Sequence, residues 1–346
     1  MKKILILSLS ILSFSIYAQD VHFSQYNEAP VVLNPALSCV NYNFRAIANY
    51  RSQWGSVSSP YKTYGISLEK VINYAKLKKS YFGLSLTVIN DKAGDLAMGN
   101  LASHLGFNYV LKVSESGKFS AGLGAGLNYK SFSPNKAKWQ SQYDGYTYNA
   151  DLPAGEAITY DSYMQPDFIL GVDYSYAKSE KFISALDGTK FNIGGSVSHI
   201  NTPRNSFYTR PQDKLSTKYV AHTNLELVVK NANFAIMPSA MYVLQGPSQE
   251  INVGCMFKYI LSRNSIRTDI KKSASLAVGA NYRINDAFIP GVLFQWSKYT
   301  MGVSYDINLS QLTNVSKTKG GLEFSLRFNT SPGYGKALGN EPAAAQ

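Results

Sequence analysis

Residues 117–131 read GKFSAGLGAGLNYKS, and this stretch decides the fold class. Apolar side chains occupy every odd position from Phe119 to Tyr129, whereas small or polar side chains occupy the even positions from Ser120 to Lys130. An unbroken period of two predicts a β-strand with one apolar face. The stretch is also much longer than a typical strand of a soluble protein, which has about five or six residues.

The same alternation recurs elsewhere, for example in EINVGCMFKYIL at 250–261 and GGLEFSLRF at 320–328. Either a soluble β-sandwich or a transmembrane β-barrel would produce such strands. Membrane-crossing strands need about 9–11 residues, and Tyr and Phe cluster at the strand ends as in the aromatic girdles of barrels. The sequence therefore predicts an all-β, transmembrane outer-membrane β-barrel of about fourteen antiparallel strands. The predicted strands are 42–54, 61–71, 80–90, 97–112, 117–131, 163–177, 189–201, 215–230, 232–245, 248–261, 274–284, 287–297, 299–308 and 319–329.

The two ends of the chain differ from this pattern. Lys2 and Lys3 precede a short apolar core, and Ala18 completes an acceptable cleavage pattern, which predicts a signal peptide. The alternative is a retained membrane anchor, for which the apolar run is short. We therefore predict an integral outer-membrane barrel after cleavage near Ala18. Its predicted parts are a signal peptide at 1–18, an N-terminal periplasmic segment at 19–41, the barrel at 42–329 and a flexible C-terminal tail at 330–346.

The charge and the cysteines restrict the partners and the chemistry. The chain has 34 basic and 22 acidic residues, which favours contact with outer-membrane lipid, lipopolysaccharide or an acidic partner. No nucleic-acid-binding module is recognisable, so nucleic acid is not an expected partner. Cys39 and Cys255 are the two cysteines of the chain, and they could form one disulfide. Cys255 belongs to the apolar face of a predicted strand, which favours free thiols.

We find no pattern that predicts catalysis. The histidines are scattered and lack the spacing of a metal site: they are His22, His104, His199 and His222. The glycines of GLGAGLN lie within a strand period and are not followed by a helix, so they are expected to face the lumen and not to bind phosphate. The sequence predicts a protein that is not an enzyme and has no cofactor, no metal site and no catalytic residue.

An even number of strands places both ends of the barrel in the periplasm, so the longest connection, 132–162, is predicted to be extracellular. Several basic residues fall in predicted periplasmic connections, where they form either a docking surface for a periplasmic partner or a solvated face near anionic head groups. They are Lys76, Lys78, Lys79, Arg263, Arg267, Lys271 and Lys272. Arg45 and Arg51 have inward positions on the first strand and are expected to pair with lumen acids.

The long outer connection is unusually aromatic for a solvated loop. Its aromatic residues are candidate contacts with an extracellular partner, and the alternative is that they pack against one another or sit in the interface girdle of the barrel. They are Trp139, Tyr143, Tyr146, Tyr148 and Tyr160.

The stretch DVHFSQYNEAPVVLNPAL at 20–37 has neither a helical nor a strand period. Together with the residues up to 67 it resembles the N-terminal fingerprint of the PorP/SprF family. Two later segments, INDKAGD at 89–95 and YDINLSQL at 305–312, are similar to other motifs of that family. The matching N-terminal positions are Phe23, Ser24, Gln25, Tyr26, Pro30, Asn34, Pro35, Ala36, Arg45, Tyr50, Arg51, Gln53, Trp54, Pro60, Tyr61 and Thr63.

The resemblance implies an outer-membrane protein of the type IX secretion system of Bacteroidetes. Such a protein would assist export or cell-surface anchoring of a large secreted adhesin with a type B C-terminal domain, in connection with gliding motility or adhesion. Its partners would be that client and periplasmic or outer-membrane secretion and gliding components. A core secretion component and a dedicated adhesin helper both fit the resemblance. The alternative function is a passive porin or small-solute transporter.

The segment at 19–41 acquires a role from this comparison. Pro30 and Pro35 resist strand addition, and irregular backbone is tolerated at membrane depth where protein covers it. We therefore expect the segment to fold into the periplasmic mouth of the barrel as a seal or docking surface. The alternative is a flexible leader.

Overall fold

The computed structural model describes residues 20–57, 59–72, 79–133, 137–155, 161–178, 188–208, 213–229, 232–262, 272–310 and 313–330. Within these residues, fourteen antiparallel strands form one closed barrel, in which β1 pairs with both β2 and β14. The strands are β1 Phe44–Gln53, β2 Tyr61–Ile72, β3 Ser80–Ala93, β4 Met98–Lys112, β5 Gly117–Ser131, β6 Ser162–Lys178, β7 Thr189–Ser198, β8 Lys218–Val228, β9 Phe234–Gln245, β10 Ser248–Ser262, β11 Ala274–Arg283, β12 Ala287–Trp296, β13 Tyr299–Asn308 and β14 Lys319–Thr330.

The predicted barrel is confirmed. The bounds of β5 and β13 are those predicted, and no end of the other strands differs from its prediction by more than three residues. The strands have 10 to 17 residues, which suits a tilted crossing of a bilayer because such a crossing needs about 9–11. No helix among the described residues is long and apolar enough to cross a membrane.

The two faces of the strands have opposite character, as the period of two predicts. In β5, Leu123 and Leu127 point outward and are almost half exposed, whereas Ser120 and Asn128 are buried inside. Leu105, on the outer face of β4, is 68% exposed. The outer surface of the barrel is therefore apolar and the lumen is polar, which is the arrangement that a membrane barrel requires.

The barrel has two rims. We call the rim where β1 begins and β14 ends the proximal rim, and the opposite one the distal rim. The longest connection, between β5 and β6, lies at the distal rim. Two further segments outside the strands are ordered there: a helical turn at Gln140–Gln142 and a short helix at Thr313–Ser316.

The residues before β1 lie inside the barrel. They form three short helical turns, Tyr26–Glu28, Pro30–Leu33 and Pro35–Leu37. Pro30 and Pro35 each lie at the start of a helical turn. The backbone N–H at that position has no partner within the turn, so proline, which lacks it, loses no hydrogen bond there. The sequence thus folds as consecutive turns and not as a strand or a long helix. The predicted signal peptide and C-terminal tail lie outside the described residues.

Candidate functional site: a plug in the barrel lumen

Residues 20–43, which we call the plug, run through the lumen from one rim to the other. Near the proximal rim the hydroxyl of Tyr81 donates hydrogen bonds to the carbonyls of Cys39 (3.1 Å) and Val40 (2.9 Å). At the other end of the plug, Asp20 contacts His199, which directly follows the distal end of β7. The segment is irregular and reaches the proximal mouth, as predicted, but it also extends through the lumen to the distal end, much further than a seal of the mouth would.

The proximal anchor of the plug is a buried ion pair between Arg45 on β1 and Glu69 on β2. Arg45 donates from Nε (2.6 Å) and Nη2 (2.8 Å) to the two carboxylate oxygens. The same partners hold the plug, because Glu69 accepts from the backbone nitrogen of Cys39 (2.9 Å) and Arg45 donates to the carbonyl of Leu37 (3.2 Å). The sequence-based expectation that Arg45 pairs with a lumen acid is therefore confirmed.

A pair of glycines on facing positions of β5 and β6 forms the seat of the plug. Gly122 and Gly171 are cross-strand partners on the inner wall. A Cβ on Gly122 would lie 2.4 Å from the backbone nitrogen of Ala36, and one on Gly171 would lie 1.9 Å from Oδ1 of Asn34. Because real Cβ atoms do not approach other atoms so closely, only glycine at these two positions permits this contact between plug and wall.

Asn34 fixes the orientation of the plug in that seat. Its Nδ2 donates to the carbonyls of Val172 (3.0 Å) and Gly195 (3.2 Å) and lies 3.0 Å from Nε2 of His222. Its Oδ1 accepts from the backbone nitrogen of Ala36 (2.9 Å). Asn34 is completely buried, and each hydrogen bond satisfies a group that would be expensive to leave unpaired.

Further wall residues hold the carbonyl that follows this turn. The carbonyl oxygen of Ala36 accepts from Nδ2 of Asn108 on β4 (2.9 Å) and from Oγ of Ser120 on β5 (2.8 Å). Both side chains are buried. The turn of the plug is therefore bonded to β4 and β5 as well as to β6, β7 and β8.

A second ionic cluster binds the plug in the distal half of the lumen. The backbone nitrogens of Ser24 and Gln25 donate to the two oxygens of Glu323 on β14, at 2.7 and 2.9 Å. Arg51 on β1 contacts both Glu323 (3.1 Å) and Asp306 on β13 (3.0 Å). Arg283 adds a further contact to Asp306 (2.9 Å). These side chains are nearly inaccessible to solvent, so the plug completes a buried network of opposite charges.

The distal end of the plug is held by an acid–histidine–acid bridge. Nε2 of His199 contacts Asp20 (2.5 Å), and Nδ1 contacts Asp167 on β6 (2.8 Å). Burial favours the neutral ring, but the hydrogen bonds to Asp167 and Asp20 outweigh it and raise the pKa of His199 to about 9. Burial likewise opposes ionisation of Asp20, yet Lys218 and His199 hold its pKa below the usual value. The protonated ring can donate to both carboxylates.

The plug does not fill the whole lumen. A cavity of about 340 Å³ remains between the plug and the inner wall from β6 to β14. Lys190, Lys258 and Arg327 line it, and all three stand near the proximal ends of their strands. The side chain of Lys190 is 63% exposed. The proximal half of the lumen is therefore partly open, and the distal half is closed by the ionic cluster.

The residues of the predicted fingerprint fall into two groups. Those of the plug and its ionic partners are brought together: Phe23, Ser24, Gln25, Tyr26, Pro30, Asn34, Pro35, Arg45 and Arg51. The others lie away from the plug. Tyr50 packs against Tyr64 on the outer face (5.1 Å between ring centroids), and Trp54 packs against Tyr61 at the distal rim (5.0 Å). Gln53 and Pro60 also belong to the distal rim.

Three of the five predicted loop aromatics lie on a hairpin at the distal rim. Tyr143 and Tyr148 form an isolated bridge with their rings 5.6 Å apart. Asp144 accepts from the backbone nitrogens of Tyr146 (2.9 Å) and Thr147 (2.8 Å), and these hydrogen bonds lower the pKa of its carboxyl. Tyr146 at the tip is 97% exposed. Trp139 precedes the hairpin, and Tyr160 lies outside the described residues.

The predicted proximal basic surface can be placed only in part. Lys79 and Lys272 flank β3 and β11 at the proximal rim. Five of the seven residues lie outside the described part of the chain: Lys76, Lys78, Arg263, Arg267 and Lys271.

Sequence reasoning missed the wall residues that receive the plug. Glu69, Asp306 and Glu323 occupy inward positions of predicted strands, so the alternation could have identified them as lumen acids. No local signal distinguishes Gly171 or Asn108 from other inward residues. The two cysteines are free, and burial raises the pKa of Cys39 to about 12, which makes it an unreactive thiol. Within the described residues, no group of three or more His, Cys, Asp and Glu side chains could hold a metal ion.

The fold and the lumen define this chain as a membrane β-barrel of the outer-membrane type with an internal N-terminal plug. A family model described as "Type IX secretion system membrane protein PorP/SprF" matches residues 15–328. The chain therefore belongs to the PorP/SprF family of type IX secretion system membrane proteins.

Solved structures with a similar fold come from other bacteria. BamA from Haemophilus ducreyi lacking POTRA domains 1–3 is 11% identical over 83% of this chain and 70% of that chain, with a TM-score of 0.42. CdiB from Escherichia coli is 7% identical over 84% of this chain and 63% of that chain, with a TM-score of 0.44. The present chain spans less than two thirds of that CdiB chain. No curated protein matches the sequence. Similarity at this level concerns the barrel shape and implies nothing about activity.

Proposed function

We propose that this barrel assists the export or cell-surface anchoring of a large secreted adhesin with a type B C-terminal domain, in connection with gliding motility or adhesion. The observation that carries the proposal is the plug. A porin provides a water-filled path through its lumen, whereas here the distal half is occupied by a segment that hydrogen bonds hold to charged residues of β1, β13 and β14. A closed barrel is better suited to present its two rims to other proteins than to pass solutes.

The distal hairpin is the proposed contact with the client. We assign the distal rim to the cell exterior because both ends of an even-stranded barrel lie in the periplasm. The side chain of Tyr146 is 97% exposed, so it packs against none of the described residues to any extent. Large aromatic residues on a rigid turn are typical anchors of protein interfaces, and the hydrogen bonds of Asp144 make this turn rigid.

The alternative function, a passive porin or small-solute transporter, would require a path past the distal ionic cluster. Conductance in planar lipid bilayers separates the two functions. We expect the intact protein to conduct poorly and a variant lacking residues 21–37 to conduct well, provided that its barrel folds. High conductance of the intact protein would support the porin.

The experiment that tests the adhesin function compares the surface proteome of a gene deletion with that of Tyr146→Ser. Tyr146 is preferable to its neighbours, because Tyr148 also donates to Gln142 (3.2 Å) and packs on Tyr143, so changing those residues would alter the hairpin itself. We expect Tyr146→Ser to reduce display of one surface protein several-fold and to leave bulk secretion unchanged. Tyr146→Phe keeps the aromatic area and is the matched control.

The deletion has three informative outcomes. Loss of one large surface protein and its close relatives would support a dedicated helper. Loss of every protein secreted by the type IX system would instead identify a core component. An unchanged surface proteome would exclude the proposed function.

A further inference from the structure

Three facing pairs of glycines lie on the inner wall of the described strands: Gly122 with Gly171, Gly106 with Gly124, and Gly279 with Gly291. Plug atoms are the nearest neighbours of the first pair alone. Gly122 and Gly171 pair on β5 and β6 and receive the turn at Asn34. Gly279 and Gly291 pair in the same way on β11 and β12. A Cβ on Gly291 would meet its nearest atoms at 3.5 Å, and those atoms belong to β13, not to the plug. A Cβ on Gly279 would lie 2.2 Å from the carbonyl oxygen of Cys255 on β10, again not from the plug. Both glycines line a cavity that the plug leaves open.

That cavity is the one of about 340 Å³ in the proximal half of the lumen. Its wall beside the glycine pair is apolar: Met237 and Met256 are cross-strand partners on β9 and β10, and Met256 in turn pairs with Gly279. Methionine side chains adapt to the shape of what binds them. At the two glycines no side chain prevents a bound molecule from reaching the backbone of the wall, and the two methionines beside them form an apolar surface that can change shape. An extended peptide could bind to such a surface.

The mouth of the cavity has a surplus positive charge. Glu226 is shared by two lysines, with Nζ of Lys258 at 2.9 Å and Nζ of Lys190 at 3.2 Å. The two arginines that line the cavity are each matched by one acid, Arg327 by Glu28 (2.9 Å) and Arg45 by Glu69. Among the described residues that line the cavity and their acidic partners, one lysine charge is therefore left over, and a carboxylate from outside would neutralise it.

Buried polar atoms at the cavity also lack partners. Oε2 of Glu28, Oδ1 of Asn224 and Nε of Arg327 make no hydrogen bond to any described residue, and all three residues line the cavity. Glu28 is 4% exposed. Buried polar atoms are normally satisfied, and the backbone of an extended segment supplies both donors and acceptors at regular intervals.

We propose that the proximal cavity binds an extended peptide segment of a partner protein, with its backbone on Gly279 and Gly291, an apolar side chain on the two methionines and a carboxylate at Lys190 and Lys258. The segment would lie against Gly279 and Gly291 in the way that the plug lies against Gly122 and Gly171. The proposal rests on the proposed function only for the source of the peptide, which we take to be a periplasmic secretion component because the cavity lies in the half of the lumen next to the proximal rim. Binding itself is a property of the cavity and can be measured without secretion.

The test uses the purified full chain in detergent micelles and fluorescence anisotropy of a labelled peptide of alternating leucine and glutamate. Gly291→Leu fills the cavity without a clash, and we expect it to weaken binding about tenfold or more, as the loss of a central contact does. Val278→Leu adds volume on the lipid face of β11, where Val278 is 49% exposed and does not line the cavity, and it should leave binding unchanged. Equal binding by both variants would overturn the proposal.

The charge requirement is tested separately. Lys190→Gln removes the surplus charge and keeps the pair between Lys258 and Glu226, so we expect the affinity for the leucine–glutamate peptide to fall about two- to fivefold. Lys298→Gln removes a charge from an exposed turn at the same rim that does not line the cavity and is the matched control. Equal affinity for a leucine–lysine peptide would overturn the carboxylate assignment.

One further variant identifies the occupant. A chain that ends at Thr330 keeps every strand of the barrel, and we expect it to bind the peptide as the full chain does. Markedly tighter binding by this variant would show that residues 331–346 compete for the cavity. The occupant would then be a segment of this chain, and the proposal of a partner peptide would be overturned.

Discussion

The two sides of the lumen use the same element, a facing pair of glycines, with opposite results. On β5 and β6 the pair lies against plug backbone, whereas on β11 and β12 it borders a cavity. A Cβ on either glycine of the first pair would collide with the plug, whereas a Cβ on Gly279 or Gly291 would meet only strands of the wall. The filled side supplies side-chain donors for the plug, such as Asn108 and Ser120, while the open side supplies methionines and lysines. A glycine pair permits close approach of a backbone, and the surrounding polar groups decide which backbone is held.

We expect the largest difference between the two sides of the lumen when the proximal anchor of the plug, the ion pair between Arg45 and Glu69, is broken. Arg45→Leu leaves Glu69 buried without its cation, and breaking a buried ion pair in this way costs about 3–5 kcal/mol. We expect faster hydrogen exchange in residues 36–42, because Glu69 and Arg45 hold Cys39 and Leu37. Hydrogen exchange with mass spectrometry measures this.

Two further variants complete that experiment. The double variant Arg45→Leu/Glu69→Leu should recover part of the protection, since no charge is left unpaired. Lys190→Gln on the open side changes an exposed pair worth about 0–1 kcal/mol and should leave the plug protected. Similar exchange in Arg45→Leu and Lys190→Gln would contradict the asymmetry between the two sides.

A smaller effect is expected when a side chain is placed on each glycine pair. Gly122→Leu inserts atoms where the backbone of Pro35 and Ala36 lies, and overpacking of this kind costs about 1–3 kcal/mol. We expect the plug to be displaced and conductance in planar bilayers to rise. Gly291→Leu is the matched change on the open side and should keep the low conductance of the unchanged protein. If Gly291→Leu opened the barrel and Gly122→Leu did not, the assignment of the two seats would be reversed.

The smallest expected effect is a local pH response of the distal bridge. The pKa of His199 is raised from 6.5 to about 9 by its two carboxylate partners, so the stabilisation is complete below about pH 6.5. It is lost as the pH rises through about 9, because the neutral ring can donate to only one carboxylate. We expect residues 20–23 to become sensitive to protease at alkaline pH while the barrel stays folded.

His199→Gln provides the control for that response, since glutamine does not titrate in this range. Asp20, Asp167, His104 and Lys218 surround the bridge. The variant should therefore show the same protease sensitivity from pH 7 to pH 10. A variant that still loosened with rising pH would assign the response to another group.

The sequence by itself determined the strands and the character of their faces. Side chains of a strand alternate between two sides with a period of two, and this rule depends only on neighbouring residues. It identified every strand, the inward positions of Arg45 and Arg51 and the lumen-facing glycines of β5. The two prolines of the plug likewise excluded a strand before β1, because proline has no backbone N–H to donate.

Only the tertiary structure decided the path of the plug and which wall residues receive it. The hydrogen bond between Ser24 and Glu323 joins residues 299 positions apart, and Asn34 meets Gly195 and His222 from strands far along the chain. Such contacts depend on the closure of the barrel and on the register between strands, which no local pattern encodes. The same reason explains why one glycine pair is covered and the other open: a glycine is identical in both places, and what lies opposite it is set by the folding of the whole chain.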